Sequence, residues 1–168
     1  MFSARFFGEL QDQSQQTSGE RVVITVPCDL RYRDAVGALI QQTCQRLEHE
    51  GAETGLGFQV VSAFNEAFNN LVQYAYPAPA SGQVDVELTI GQEELALELL
   101  DSGATFEFDA VESPDLTGLP ETGLGIFIIR SFMTDVSYQA GSGGEKNRLR
   151  MIRRLGVPQP NDSAARND

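Results

Sequence analysis

The chain is poor in the residues that metal centres and histidine-dependent catalysis require. Among its 168 residues there is no tryptophan, His49 is the only histidine, and the two cysteines, Cys28 and Cys44, stand sixteen positions apart. A structural zinc site needs four ligands, usually in close pairs. A Ser-His-Asp or Cys-His arrangement needs a suitably placed histidine. We therefore expect neither site, and we interpret the cysteines as buried thiols in a reducing compartment.

Long hydrophobic runs are also missing. No stretch of about 18 apolar residues occurs, so the sequence predicts no transmembrane helix. The first residues, MFSARFFGELQDQSQ, lack the long apolar centre of a signal peptide and soon become polar. Together these features indicate a cytoplasmic protein.

Positive charge is scarce, with 12 Lys and Arg against 24 Asp and Glu, a formal net charge of −12. Such a field repels nucleic acid and anionic membranes, so neither is expected as a direct partner. The exception is KNRLRMIRR, residues 146–154. This segment is either a terminal strand with solvated charges or a local patch for a nucleotide phosphate or an acidic partner.

One domain is predicted between two polar ends. Residues 1–20 are interpreted as a flexible lead-in, and residues 156–168, GVPQPNDSAARND, as a flexible tail. Residues 21–155 contain no internal repeat and no sign of a second boundary. A chain of this length can bury about two-thirds of its unfolded surface, which is enough for one core.

The hydrophobic pattern predicts helices alternating with strands. One helix is expected from Asp29 or Leu30 to about Glu50, and a second from about Gly57 to Tyr76, before Pro77. Strands are expected at RVVITVP, at QVDVELTI and ELALELLD around the turn GQEE, and at DVSYQA and NRLRMIRRL around GSGGEK. The order predicts an α+β two-layer sandwich, in which a mixed, mostly antiparallel sheet carries helices on one face.

The second predicted helix, FNEAFNNLVQYAYP, carries an unusual polar face beside its apolar stripe. Glu66 and Asn70 are one turn apart and can point at the same ligand. Asparagine is a poor helix former, so the pair Asn69-Asn70 in mid-helix favours a functional reason. A carboxylate beside an amide oxygen suits Mg²⁺. The alternative is a merely exposed polar face.

Two further motifs follow in the chain. Asp101 ends a predicted strand and is followed by Ser102 and Gly103, in LLDSGATFEF. It is either a turn former or an acceptor for an exocyclic amine. In ETGLGIFIIRSFMTDVSY, Gly123 and Gly125 precede an apolar helix, as either an ordinary loop or a backbone cradle for a phosphate.

In this order the three motifs resemble the GHKL ATPases, whose fold is also called the Bergerat fold. Within that superfamily, NEAFNNLVQYAYP and GLGIFIIRSFMTDVSY are similar to segments of the bacterial anti-sigma factor serine/threonine kinases. The resemblance covers about residues 20–155. It implies ATP and Mg²⁺ as cofactors, a STAS-domain anti-anti-sigma protein as the substrate, and a sigma factor as a second partner. Members of the family often form homodimers.

The resemblance also implies a role for each motif residue. Glu66 would be the general base, and Asn70 would bind the nucleotide and ligate Mg²⁺. Asp101 would accept a hydrogen bond from the adenine amino group, and Gly103 would leave space for the adenine ring to bind. Residues 109–122 would form the ATP lid. The phosphates would meet backbone amides of the segment Thr122, Gly123, Leu124, Gly125 and Ile126.

The chain departs from the pattern of these kinases at several positions. Asn69 stands where threonine is usual, Tyr74 where histidine is usual, and Thr105 where the Asp-x-Gly-x-Gly form has its second glycine. They leave a second function open, a nucleotide-dependent partner-binding module with little or no kinase activity.

Overall fold

The computed structural model describes residues 19–78, 81–105 and 124–156. Apart from residues 19, 20 and 156, the lead-in and the tail lie outside the described residues, as does the lid predicted at 109–122. The elements are the strands β1 (Glu20–Pro27), β2 (Gln83–Ile90), β3 (Glu94–Asp101), β4 (Asp135–Gln139) and β5 (Asn147–Arg154), and the helices α1 (Arg33–His49), α2 (Leu56–Tyr74) and α3 (Leu124–Phe132).

The described strands form one sheet in the order β1-β2-β3-β5-β4. Every pairing between them is antiparallel. The α+β two-layer arrangement is therefore confirmed, but the described sheet is antiparallel throughout rather than mixed. The β2–β3 hairpin is also confirmed, and its turn is closed by a hydrogen bond from the Gly91 amide to the Glu94 carbonyl (2.8 Å).

The core lies between the helices and one face of the sheet. In β2 the buried residues alternate with half-buried ones, as the period of two predicts. Their side chains belong to the same buried cluster as the apolar stripes of α1 and α2. The stripe of α2 includes Phe64 and Phe68, both fully buried, with ring centroids 5.4 Å apart. The polar residues of α2 lie outside this buried stripe.

The start of the first helix differs from the prediction. Leu30–Tyr32 form a 3-10 turn, and the α-helix begins only at Arg33. The Asp29 side chain accepts a hydrogen bond from the Arg31 amide (2.9 Å) and forms an ion pair with the Arg31 guanidinium. This local cap satisfies the Arg31 amide, one of the first amides of the turn. The second helix ends at Tyr74, two residues earlier than predicted.

The basic segment 146–154 forms β5 and pairs with carboxylates of the chain itself. Lys146 contacts Asp85 (2.5 Å), and both Arg148 and Arg150 contact Glu98 (3.4 and 3.7 Å). Three cations of the segment therefore have partners within the chain, which favours the charged terminal strand over the anion-binding patch.

The two cysteines are buried and unpaired. Burial raises the pKa of the Cys28 thiol to about 11 and that of Cys44 to about 12. Both are therefore neutral thiols, as predicted. Among the described helices, none has the length and apolar character needed to span a membrane.

Candidate functional site

Glu66 and Asn70 lie at the edge of the buried stripe of α2. Ala67 and Phe68, next to Glu66, face the core and are buried, whereas Glu66 and Asn70 are half-buried. One helical turn separates them, so both side chains emerge on the same side of the helix. That side is directed toward α3 rather than toward open solvent.

The first turn of α3 packs directly against these two side chains. A Cβ atom added to Gly125 would lie 2.8 Å from Glu66 Oε2 and 3.7 Å from Asn70 Nδ2. Glycine therefore leaves room for the carboxylate where any other residue would displace it. Because the first amides of a helix have no partner within the helix, this terminus is a favourable place for an anionic group.

Asp101 lies at the end of β3 and is buried, with 6% of its surface exposed. Its Oδ1 accepts a hydrogen bond from the Gly103 amide (2.7 Å) and another from Asn147 Nδ2 (3.3 Å). Among the described residues, no hydrogen bond reaches Oδ2. The two donors at Oδ1 thus fix the side chain.

Asn147 holds this corner together from the neighbouring strand. It pairs with Asp101 in the β3–β5 register and is 3% exposed. Its amide nitrogen also donates to the Gly103 carbonyl (3.1 Å), and its oxygen accepts from the Gly141 amide (2.9 Å). Every polar group of its side chain is therefore used, as buried polar groups require.

The environment of Asp101 disfavours its charge. Burial raises the pKa of the carboxyl above its usual value, while the hydrogen bonds from Gly103 and Asn147 oppose that rise. The result is a carboxylate held in an apolar setting, where a hydrogen bond to a ligand is stronger than in water.

One cleft is lined by both Asn70 and Asp101. Its walls are mostly apolar, and Asn70, Asp101 and Thr105 are among the polar residues that line it. The lining residues are Ala67, Asn70, Leu71, Tyr74, Ala75, Asp101, Ala104, Thr105, Ile129, Tyr138 and Leu149. An apolar slot with a few placed polar groups suits a flat heterocycle that carries a charged tail.

The structure groups most of the predicted site residues into two clusters. Glu66, Asn70 and Gly125 meet where α2 contacts the first turn of α3, which also contains Leu124 and Ile126. Asp101 and Gly103 meet at the end of β3. Thr122 and Gly123 lie outside the described residues.

Gly103 is closely packed against the end of α2. A Cβ atom there would clash with the carbonyl oxygen of Ala75 and lie 2.8 Å from its Cβ. The need for glycine at this position therefore follows from contact between two chain segments, whether or not a ring is bound.

Sequence reasoning missed two groups at the site. Asn147 had no local signal, because its role depends on a strand pairing with a residue 46 positions away. Arg33, the first residue of α1, donates from Nη1 to Asn69 Oδ1 on α2 (3.1 Å). The only sign of this contact in the sequence was the asparagine at position 69, in the middle of a helix.

The model of the family described as the histidine kinase-like ATPase domain matches residues 28–153 of the chain. The chain is also similar to the serine-protein kinase RsbW of Bacillus velezensis, at 27% identity over 141 residues, which cover 76% of this chain and 82% of that protein. The similarity to the serine-protein kinase RsbW of Bacillus subtilis is 30% over 89 residues, 48% of this chain and 56% of that one.

Among solved structures, the fold is similar to that of the RsbU and RsbW domains of Rv1364c from Mycobacterium tuberculosis. The TM-score is 0.55 at 18% sequence identity, and the match covers 81% of this chain and 32% of that one. At this identity the match supports the fold, and the chain spans about a third of that protein's length.

Proposed function

Because the chain belongs to the histidine kinase-like ATPase domain family, we propose that it is an ATP-dependent protein serine/threonine kinase of the anti-sigma type. Its proposed substrate is a STAS-domain anti-anti-sigma protein, and its proposed second partner is a sigma factor that it alternately sequesters by partner switching. The names of its relatives support serine as the phosphorylated residue. The proposed setting is the cytoplasm, and the proposed assembly is a homodimer.

The observation that carries the proposal is the meeting of Glu66, Asn70 and the first turn of α3 at Gly125. Two segments far apart in the sequence, α2 and the start of α3, place a carboxylate, an amide and a helix N-terminus within one small volume. Phosphoryl transfer depends mainly on positioning and on neutralising charge, so it requires few protein side chains, and these are groups of the type it requires.

The residues present fit ATP and Mg²⁺. Because Gly125 has no side chain, a phosphate would approach the first amides of α3 directly, beside the Glu66 carboxylate. Asn70 would offer its amide oxygen to the metal, a hard oxygen ligand of the type Mg²⁺ prefers. Asp101 Oδ2 would accept a hydrogen bond from the amino group of adenine. When bound, ATP would supply the phosphoryl group, and Mg²⁺ would neutralise part of its charge.

Glu66 is the proposed general base. Its carboxylate lies beside the Gly125 backbone, next to the proposed phosphate position, and it is half-buried rather than sealed in the core. A serine hydroxyl of the partner would reach it from the solvent side of the cleft. Glu66 would accept the proton of that hydroxyl as the oxygen attacks phosphorus.

A second candidate function is nucleotide-dependent partner binding with little or no transfer. It is favoured by the contact of Arg33 with Asn69, which occupies the side-chain oxygen of the residue next to Asn70. The anti-sigma kinases that the chain resembles usually carry threonine there. A retained Glu66 favours the kinase, so transfer activity decides between the two.

The binding half of the proposal is tested by calorimetry of ATP with and without Mg²⁺. Asn70→Ala should abolish the metal dependence and weaken binding. Asn65→Ala, a change on the same helix away from the cleft lining, is the matched control and should bind as the wild type. No binding of ATP to the wild type under either condition would refute a nucleotide site.

The transfer half is tested by incubating the chain with γ-labelled ATP and STAS-domain proteins encoded near its gene. Glu66→Gln should bind ATP with nearly wild-type affinity and lose transfer by at least about a hundredfold. Full transfer by this variant would exclude Glu66 as the base. ATP binding without transfer to any of these partners would favour the binding module.

A further inference from the structure

Tyr76, just beyond the end of α2, has a hydroxyl group that joins two segments of the chain. It accepts a hydrogen bond from the Ser102 amide (3.0 Å) and donates one to the Gln83 carbonyl at the start of β2 (3.3 Å). The hydroxyl therefore uses both its donor and an acceptor site. Neither contact is part of a helix or a sheet ladder, so the hydroxyl makes a tertiary link.

The ring of Tyr76 is held in a fixed place. It packs so closely over Gly82 that a Cβ atom there would overlap the ring carbons. Burial raises the pKa of its hydroxyl, which keeps the group protonated and able to donate. The position of the hydroxyl is thus set by packing and is not free to follow the loop.

The loop after β3 is attached to the end of α2 on both sides of Gly103. The Ser102 amide donates to Tyr76, and the Ala104 amide donates to the carbonyl of Ala75 (2.8 Å). Gly103 itself packs against Ala75. The Gly103 amide in turn donates to Asp101 Oδ1 (2.7 Å), so the placement of this loop sets the direction of the buried carboxylate.

We propose that Tyr76 is a positioning residue for recognition of the six-amino group of the purine. Through Ser102 and Gly103, its hydroxyl keeps Asp101 Oδ2 directed into the cleft. The inference rests on the proposed function, because it assumes that Asp101 receives that amino group. Tyr76 lies outside the cleft lining. It would therefore contribute to the selectivity for adenine over other bases without contacting the ligand.

Tyr76→Phe removes only the hydroxyl and keeps the ring packing. We expect the affinity for ATP to fall about fivefold, the effect of one lost hydrogen bond. The affinity for purine riboside triphosphate, which lacks the amino group, should change less than about twofold. A purely structural role would lower both affinities by the same factor, and that result would overturn the inference.

Tyr32→Phe is the matched control. It also removes a tyrosine hydroxyl, but Tyr32 lies in the 3-10 turn before α1 and does not line the cleft. Its affinities for both nucleotides should equal those of the wild type. A fivefold loss of ATP affinity in Tyr32→Phe as well would show that the effect is not specific to Tyr76, and would contradict the inference.

Amide hydrogen exchange in the nucleotide-free protein separates this inference from the proposed function. Tyr76→Phe should speed exchange at Ser102 and Gly103 by at least about tenfold, with α1 unchanged. Unchanged exchange there would overturn the positioning role, even if ATP binds. A wild type that binds neither nucleotide would refute the proposed site and the recognition role with it, whereas faster exchange would still establish that Tyr76 orders the loop.

Discussion

Gly125 shows how one missing side chain can matter to both folding and chemistry. A Cβ atom there would lie 2.8 Å from Glu66 Oε2. Since a carboxylate is the far end of a flexible side chain, it can move aside at little cost in stability. It would then no longer lie where the proposed transfer needs it.

We therefore expect Gly125→Ala to separate stability from activity. Alanine favours a helix over glycine by about 0.5–1 kcal/mol, so the thermal midpoint should stay the same or rise slightly. The rate of phosphoryl transfer should fall about a hundredfold, as expected for a misplaced catalytic group. Thermal unfolding and a γ-label transfer assay measure the two effects.

Gly37→Ala is the control for this prediction. Gly37 is a buried glycine in α1, and a Cβ atom there would have its nearest neighbour, Val61 Cγ1, at 3.7 Å, an ordinary contact. This variant should show similar or higher stability with unchanged transfer. Equal losses of transfer in both variants would mean that Glu66 is not displaced in the way we infer.

Asp101→Asn should change which nucleotide is preferred. The two donors at Oδ1, from Gly103 and Asn147, would draw the amide oxygen to that position and turn the NH₂ group into the cleft. The side-chain NH₂ group and the adenine amino group, both hydrogen-bond donors, would then face each other. We expect ATP affinity to fall at least about tenfold and ITP, with a carbonyl at position six, to gain relative to ATP. An unchanged ATP:ITP ratio would contradict the assigned contact.

The same substitution should alter the dependence of stability on pH. Burial raises the pKa of Asp101 above 3.8, so the folded chain takes up this proton more readily than the unfolded chain. The ionised carboxylate therefore lowers stability at neutral pH, and this cost disappears as pH falls through the raised pKa. Urea unfolding from pH 7 to pH 4 should show this relief in the wild type and lack it in Asp101→Asn.

At the scale of elements, hydrophobic periodicity predicted which elements form better than it predicted where they begin and end. Alternation located β2 and β3, since one face of each must join the core. It could not predict the 3-10 turn at Leu30–Tyr32, which depends on the side chain of Asp29. Nor could it place Asn147 beside Asp101, since the β3–β5 register comes from the whole sheet.

The orientation of α3 depends on contacts at both of its ends. At its C-terminus, Arg153 donates from Nη1 to the Phe132 carbonyl (3.0 Å) and from Nε to Glu53 (2.9 Å). The Arg153 side chain is only 19% exposed. It therefore joins β5, the segment after α1 and the end of α3, which places the first turn of α3 against Glu66.

Arg153→Gln should destabilise the chain by about 1–3 kcal/mol, because it leaves partly buried acceptors without their donors. Arg21→Gln breaks the exposed pair with Glu87, where the arginine side chain is 58% exposed, and should leave the unfolding midpoint nearly unchanged. Chemical denaturation of both variants measures the difference. Equal midpoints would show that Arg153 is as dispensable as a surface charge.

At the scale of the whole molecule, the three motifs together predict a site that no single residue predicts. Alone, Asp101 could have been a turn former, and it does bond the Gly103 amide as such residues do. Its functional role was suggested only by the order of the motifs and by the resemblance they carry. The packing that joins them, at Gly125 and at Gly103, needed the folded chain.

The net charge of −12 makes a prediction about the entire chain. At about 10 mM salt the screening length is about 30 Å, so like charges repel across the whole domain. The ion pairs on the sheet surface oppose this, but exposed pairs each contribute little. Repulsion should dominate, and raising NaCl to about 300 mM should increase the thermal midpoint at neutral pH.

The same titration near pH 4.4, the isoelectric point of the sequence, provides the control. There the net repulsion is absent, and only attractive pairs remain to be screened. The midpoint should then stay constant or fall as salt is added. A fall at neutral pH would mean that local pairs, such as those of Glu98 with Arg148 and Arg150, outweigh the charge of the whole molecule.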